Sequence, residues 1–274
     1  MNLTASIVVY KNNLNILDKA IKSCLQSYPA LHLYIIDNSP EDDARVLCAD
    51  SRISYIFNGK NLGFGPGHNI ALRKVLHQSK YHIVVNPDVY FDEGVIPQMF
   101  EFMEKNPDAG LSMPKVLYPD GALQHLCKLL PKPHNLIYRR FLKFYKAFEK
   151  YDHLYEMRFT GYNKVMDVPF LSGCFMFLRT EALKKSGLFD ENIFLYTEDI
   201  DLSRRIHKYH RTMFYPEVSI YHYHEKGSYK KLNLLLYNIG SAINYFNKWG
   251  WFHDRERDEI NKQILSSYVI NDGA

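Results

Sequence analysis

From Ala5 to Asn86 the chain alternates short apolar runs with segments of helical spacing. Ala5-Ser6-Ile7-Val8-Val9-Tyr10 reads as a strand, because it is compact, apolar and rich in β-branched residues. Leu14 to Gln26 follows, with Leu14, Leu17, Ile21 and Leu25 on one helical face. Leu31 to Asp37 is strand-like again and runs into the turn sequence Asp37-Asn38-Ser39-Pro40. Pro40 to Ala49 suits a helix, Ile53 to Phe57 a third strand, Asn69 to Gln78 a helix, and His82 to Asn86 a fourth strand. Strands alternating with helices predict βαβ units, and so an α/β fold with a mainly parallel central sheet flanked by helices.

The second half is less regular. Cys174 to Arg179 is strand-like, Thr180 to Ser186 a short helix, and Glu198 to His210 a helix. Thr212 to Tyr215 and Ser219 to His224 read as short strands. Lys231 to Lys248 and Glu256 to Ser267 read as C-terminal helices. Gly227-Ser228 marks the expected join between core and C-terminal helices. The stretch from Leu129 to Asn163, rich in Pro, Tyr, Lys and Arg, reads as an insertion. No internal repeat is visible.

Composition narrows the class without choosing a chemistry. The 274 residues are 46% apolar and 15% aromatic, enough for one large domain with an appendage. A net charge of +4 does not call for nucleic acid. Cys24, Cys48, Cys127 and Cys174 are scattered, which fits a reducing compartment rather than a zinc knuckle. The longest nearly apolar run, Val168 to Leu178, contains Pro169, Ser172 and Gly173 and falls short of the ~20 residues that span a bilayer. A strand at the N-terminus leaves no room for a signal peptide. A cytoplasmic protein, at most peripheral on a membrane, is expected.

The chemistry-bearing residues collect where such folds bind ligands, beyond the carboxyl ends of the strands. Tyr10, Asp37, Asn38, Asn86 and Asp88 fall there. In Asn86-Pro87-Asp88-Val89, Pro87 ends the strand and displays Asp88. A single carboxylate joined by diphosphate oxygens and water suits Mg²⁺ or Mn²⁺, although an ordinary turn has the same sequence. Asn58 to Asn69 holds four glycines in nine residues, Gly59 to Gly67, so backbone can approach a ligand and a helix beginning near Pro66 can face an anion. The dinucleotide fingerprint fails there, because His68 stands where Gly or Ala belongs.

Thr197-Glu198-Asp199-Ile200-Asp201 puts three carboxylates in a first helical turn, directly after the apolar-aromatic run Ile193 to Tyr196. Such acids suit the helix dipole, and Asp201 can pair with Arg205. They also suit a general base aimed into a cleft. In Tyr221-His222-Tyr223-His224 the two histidines share a strand face and can meet a metal or a diphosphate. Lys226, Ser228, Lys230 and Lys231 follow. Ile137, Phe141, Phe144 and Phe148 alternate with Arg139, Lys143, Lys146 and Lys150 as an amphipathic helix over 137–150. It suits either an anionic membrane surface or a core-facing helix with a solvated face.

Taken in order, these motifs resemble family 2 glycosyltransferases of the GT-A fold, in the branch of bacterial rhamnosyltransferases. The resemblance covers about residues 4–228. It is carried by Val9-Tyr10, Ile36-Asp37-Asn38-Ser39, Asn61-x-Gly63-Phe64-Gly65 to Asn69, Asn86-Pro87-Asp88-Val89, Gly173-Cys174-Phe175-Met176, Gly187-x-Phe189-Asp190-Glu191 to Leu202, and Pro216-Glu217 to His222. It implies a GT-A domain over 1–228, with 129–163 as an acceptor-side insertion, and a helical extension over 229–274.

By the same resemblance, Asp37 reads the nucleotide base, and Val9, Tyr10, Asn38, Asn61, Gly63, Gly65, Asn69 and Asn86 belong to the donor site. Asp88 corresponds to the last acid of the family's D-x-D motif, with Asn86 in place of the first, and holds the metal with His222; His224 is a second candidate. Asp199 corresponds to the catalytic base, and Glu198 positions it or the acceptor. The implied reaction is inverting, metal-dependent transfer of a sugar onto a bacterial surface glycan on a lipid diphosphate. Its implied donor is dTDP-rhamnose, or a UDP-hexose in the alternative. A sugar nucleotidyltransferase would need a glycine-rich, basic signature that Met1 to Lys22 lacks. A non-catalytic nucleotide-binding protein would not need both Asp88 and Asp199. Self-association is left open.

Overall fold

The structure is a computed structural model that describes residues 2–136, 146–223 and 232–269. Its N-terminal half follows the periodicity closely. β1 (Leu3–Val9), β2 (His32–Asp37), β3 (Ile53–Phe57) and β4 (Tyr81–Val85) pair in parallel in the order β3-β2-β1-β4. The crossovers are α1 (Leu14–Ser27), a short 3-10 turn at Asp43–Leu47 in place of the longer helix expected from Pro40, and α2 (Phe64–Val75). Asn13 caps α1, its side chain accepting from the N–H groups of Asn15 and Ile16.

Two elements that carried no clear sequence signal complete the sheet. α3 (Val95–Lys105) leads into β6 (Ala109–Leu117), which lies between β10 (Phe175–Arg179) and β11 (Arg211–His222). Pro114 weakens the strand pattern of β6. It is tolerated because β6 pairs with β10 only at Leu111 and Ser112, so no ladder N–H is required at Pro114 from that side. β10 runs antiparallel to both β4 and β6, which joins a mixed half to the parallel half. The two short strands expected near Thr212 and Ser219 are one strand, β11, whose register slips between Tyr215 and Ser219, around Pro216. β5 (Val89–Tyr90) and β8 (Met166–Asp167) pair with β11, and β7 (Cys127–Lys128) with β9 (Phe170–Leu171).

Beneath the sheet a polar chain runs through the core. Thr4 Oγ1 lies 2.8 Å from His82 Nδ1, His82 Nε2 2.8 Å from Ser6 Oγ, and Ser6 Oγ 2.7 Å from His68 Nδ1. All four side chains are fully buried. Burial pushes the His82 imidazole down to about 3 and holds His68 well below the ordinary value, so both rings are neutral.

The C-terminal helices are fused to the core. α4 (Lys146–Tyr155) and α5 (Thr180–Ser186) precede α6 (Glu198–His207), against which α7 (Leu232–Trp249) and α8 (Arg255–Val269) pack. Phe170 and Ile200 share one apolar cluster with Ala242, Tyr245 and Phe246. Arg204 of α6 is 1% exposed and makes a two-pronged contact to Asp254 at 2.6 and 2.7 Å, with Glu256 at 2.9 Å. Its guanidinium also lies 4.0 Å from the Trp249 ring. Asp201 pairs with Arg205 as its spacing predicts, and also accepts from Trp249 Nε1 at 2.8 Å and pairs with Lys248 at 2.8 Å.

Breaking a buried pair leaves the remaining charge uncompensated. Asp254→Asn is therefore expected to lower unfolding free energy by about 3 kcal/mol, read from urea denaturation. A loss below about 0.5 kcal/mol would mean that apolar packing alone holds the C-terminal helices.

Candidate active site

A cavity of about 610 Å³ opens where α6 begins and β4 and β11 end. Glu198, Asp199, Asn86, His222, Lys128 and Gly173 are among its lining residues. A smaller cleft of about 300 Å³ lies between Val9, Lys11 and Asn12 on one side and Ser39, Pro40 and Glu41 on the other, at the ends of β1 and β2.

The entry into α6 is an unusual piece of backbone. Tyr196 and Thr197 have φ of 70° and 63°, a left-handed pair without glycine. Such residues cost on the order of 1 kcal/mol or more each and persist only when neighbours hold them. The holder is α7. Thr197 Oγ1 donates to the Ser241 carbonyl at 3.1 Å, and Ser241 Oγ donates to the Leu195 carbonyl at 2.6 Å. α7 also adds Asn238 to the cavity wall.

That turn separates the three carboxylates. Asp201 faces the C-terminal helices, whereas Glu198 and Asp199 face the cavity. Asp199 Oδ2 accepts from the Gly173 N–H and Oδ1 from the Ile200 N–H, both at 2.9 Å. Burial raises the Asp199 carboxyl above its ordinary value, while the Gly173 N–H and then Lys128 pull it back. Glu198 is 4% exposed and its Oε2 has no hydrogen-bond partner. Burial, and then the charge of Asp199, push Glu198 well above the carboxylate range. The two N–H donors at Asp199, against an unpartnered Oε2 at Glu198, make Asp199 the side of the pair suited to carry the charge.

Asp88 and His222 meet at another part of the site. His222 Nε2 lies 3.4 Å from Asp88 Oδ1, and the Tyr223 N–H donates to the Asp88 carbonyl, tying the end of β11 to this turn. One carboxylate and one imidazole are too few to hold a divalent ion without further ligands. Among the described residues no three His, Cys, Asp or Glu side chains gather as a metal site. The pair does fit a hard ion that takes its remaining ligands from diphosphate oxygens and water.

Several residues expected at the donor site have other work. Asp37 is fully buried; it accepts from the Ser39 N–H at 2.8 Å and the Tyr55 hydroxyl at 2.7 Å, so it shapes the turn beside the smaller cleft rather than facing an opening. Asn38, also fully buried, donates to the Gly63 carbonyl and accepts from Asn58. Asn69 clasps the Phe189 backbone through both its donor and its acceptor.

The two glycines are packing positions. Gly63 has φ of 93°, and a Cβ there would stand 2.3 Å from the Phe194 carbonyl oxygen; at Gly65 it would stand 2.8 Å from Phe189 Cβ. The Phe64 N–H donates to that Phe194 carbonyl, so the start of α2 is closed by protein and not presented to an anion. Asn61 accepts from the Gly63 N–H, and Asn86 lines the larger cavity. Val9 lines the smaller cleft, and Tyr10, 46% exposed, sits at the end of β1. His224, Lys226, Ser228, Lys230, Lys231, the Gly227-Ser228 join and positions 137–145 of the amphipathic segment lie outside the described residues. Asn135, Leu136, Tyr155, Glu156 and Arg158, from the 129–163 segment expected on the acceptor side, line the cavity, and Tyr118, Gln124 and Lys128 line it from just before that segment.

The fold is similar to those of solved glycosyltransferases. GalNAc-T7 with UDP, GalNAc and Mn²⁺ superposes with a TM-score of 0.60 at 13% identity, covering 81% of this chain and 43% of that one. S. aureus TarS 1–349 gives 0.59 at 14%, covering 97% and 71%. The mannosyltransferase PcManGT of Pyrobaculum calidifontis, with GDP-Man and Mn²⁺, gives 0.57 at 12%, covering 89% and 64%. The fold is thus that of the GT-A glycosyltransferases.

The sequence match is narrower. The family model of glycosyl transferase family 2 matches residues 6–187, more than half of the chain, and the chain belongs to that family. The N-acetylglucosaminyl-diphospho-decaprenol L-rhamnosyltransferase of Mycobacterium tuberculosis is 26% identical over 159 residues, covering 55% of this chain and 52% of the relative. A low-salt glycan biosynthesis hexosyltransferase of Haloferax volcanii is 22% identical over 173 residues, covering 62% and 52%. The chain spans about half the length of these curated relatives. Among the described residues no helix is long and apolar enough to cross a membrane.

The state of Glu198 can be read from stability. Its raised folded value favours the protonated form, so its contribution is full below the ordinary carboxylate value and is lost as pH rises above it. Glu198→Gln removes that loss. Its melting temperature should exceed wild type by several degrees at about pH 8 and match it at about pH 4. An equal difference at both pH values would mean that Glu198 titrates as an ordinary carboxylate.

Proposed function

We propose that the chain is an inverting, divalent-metal-dependent glycosyltransferase acting from a nucleotide sugar on a glycan hydroxyl. The observation that carries this reading is a candidate base, Asp199, in one cavity with His222, whose Nε2 lies 3.4 Å from Asp88 Oδ1. Retaining hydrolysis needs an acid and a nucleophile facing each other across the scissile bond, whereas Glu198 and Asp199 are neighbours in the first turn of one helix. A metal held by Asp88 and His222 would neutralise the departing diphosphate as a Lewis acid. Asp199 takes the proton of the acceptor hydroxyl while that oxygen bonds to the anomeric carbon and the bond from that carbon to the diphosphate oxygen breaks. Glu198, neutral and out of water, keeps a second negative charge away from the attacking oxygen and holds its neighbour in the first turn of α6.

The nucleoside belongs to the smaller cleft by this reading, with Val9 and Tyr10 beside it. Asp37 and Asn38 shape that cleft from below. The donor is dTDP-L-rhamnose, supported by the rhamnosyltransferase relative, and the acceptor a glycan on a lipid diphosphate, supported by the diphospho-decaprenol in that relative's name. Mn²⁺ or Mg²⁺ as cofactor is supported by the Mn²⁺ in two of the similar structures. The enzyme then works at the cytoplasmic face of a membrane. Residues 1–228 form the catalytic domain and 229–274 a helical extension that completes its wall.

Asp199→Asn should reduce turnover by about 10³-fold while the thermal shift caused by the donor persists. Turnover close to wild type would remove Asp199 as the base. A nucleotide-sugar panel with Mn²⁺, read by thermal shift and slow donor hydrolysis, tests the donor. Selective stabilisation by dTDP-rhamnose supports the assignment, and a preference for a UDP-hexose replaces the sugar but keeps the chemistry.

A further inference from the structure

We propose that Gln124 is a positioning residue that sets which nitrogen of His222 faces the diphosphate and its metal. This rests on the reading of Asp88 and His222 as the metal-holding pair. Gln124 enters on a tight turn after β6. The Tyr118 N–H donates to the Ala122 carbonyl, the Gly121 N–H to the Tyr118 carbonyl, and the Gln124 N–H to the Val116 carbonyl. Leu117 bridges Leu123 across the turn. The side chain is 3% exposed, so its hydrogen bonds must be met within the protein.

Those bonds leave one arrangement. One end of the amide contacts two carbonyl oxygens, of Leu117 at 3.2 Å and of His222 at 2.7 Å. Carbonyl oxygens only accept, so that end is the nitrogen, and its two hydrogens are both used. The other end is the oxygen, and it lies 3.0 Å from His222 Nδ1. An amide oxygen also only accepts, so Nδ1 carries a hydrogen. In the neutral ring the lone pair is then on Nε2, the atom that looks toward Asp88.

A single amide thus grips His222 at both its carbonyl and its ring, fixing rotation and tautomer together. Histidines that bind metals commonly give their second N–H to such an acceptor. Glutamine matches the task closely. Asparagine is too short to reach all three atoms, and glutamate keeps the acceptor for Nδ1 but lacks the two donors. Without the acceptor, the ring is free to carry its hydrogen on Nε2, where it blocks a cation.

The test compares wild type with Gln124→Met and Gln124→Glu. The His222 tautomer is read by ¹⁵N NMR, assigned through the signals lost in His222→Asn. Mn²⁺ affinity is read by EPR in the presence of a nucleoside diphosphate. Gln124→Met should show mixed tautomers and about 10- to 100-fold weaker Mn²⁺ binding. Gln124→Glu should keep the Nδ1–H form and bind Mn²⁺ within about threefold of wild type. Should Gln124→Met not fold, Gln124→Asn replaces it with the same expectation.

An unchanged tautomer and affinity in the Met variant would overturn the proposal, as would equal losses in the Met and Glu variants, the pattern of a purely structural residue. Wild type that binds no Mn²⁺ would overturn the metal reading itself, and the role of Gln124 with it. Failure of Gln124 alone leaves wild-type binding intact.

Discussion

The site depends on keeping two adjacent carboxyl groups out of water at the start of one helix. Burying Glu198 and Asp199 side by side is unfavourable, and the favourable terms come from elsewhere in the chain. The Gly173 N–H and Lys128 offset the cost at Asp199, and protonation removes it at Glu198. Two left-handed residues aim the turn, and α7 holds those residues through Ser241. Arg204, one turn further along α6, anchors the same helix to Asp254 and Glu256. Remove any of these and the carboxylates lose either their orientation or their difference in protonation.

This dependence changes the standing of the C-terminal helices. The family resemblance implied a helical extension over 229–274, beyond the GT-A domain. Asn238 lines the cavity, Ser241 clamps the turn into α6, and Asn261 bonds both the N–H and the carbonyl of Leu130. The helices act as a wall and a clamp, although the sequence offered only their amphipathic pattern.

Within the parallel half, β1, β2 and β4 were legible because they are buried on both faces and read as largely apolar runs. β6 was not, since Pro114 interrupts its pattern and only the local end of the β10 pairing makes that proline harmless. At the candidate site, Asp88 and His222 stood out by their places at strand ends and Asp199 by its place in an acidic first helical turn, while their proposed roles came from the family resemblance. Gln124 was not, because its partner lies 98 residues away and nothing in its neighbourhood announces a buried amide. The glycines at 63 and 65 were legible as close-approach positions, but a sequence does not say which body approaches. Here it is the Phe194 backbone and the Phe189 ring.

The polar chain through Thr4, His82, Ser6 and His68 has a consequence for how β1 finds β4. Apolar strands in parallel can slide by two residues and still bury the same kinds of side chain. Thr4 stands opposite His82 in the register observed. A slide of two would take His82 out of its place between Thr4 and Ser6, at about 1–3 kcal/mol for each polar group left unmet. The network is thus a registration mark written into the core. Because the loops carrying Tyr10 and Asp88 leave from those two strands, it also sets the spacing between the two ends of any molecule that the site can hold.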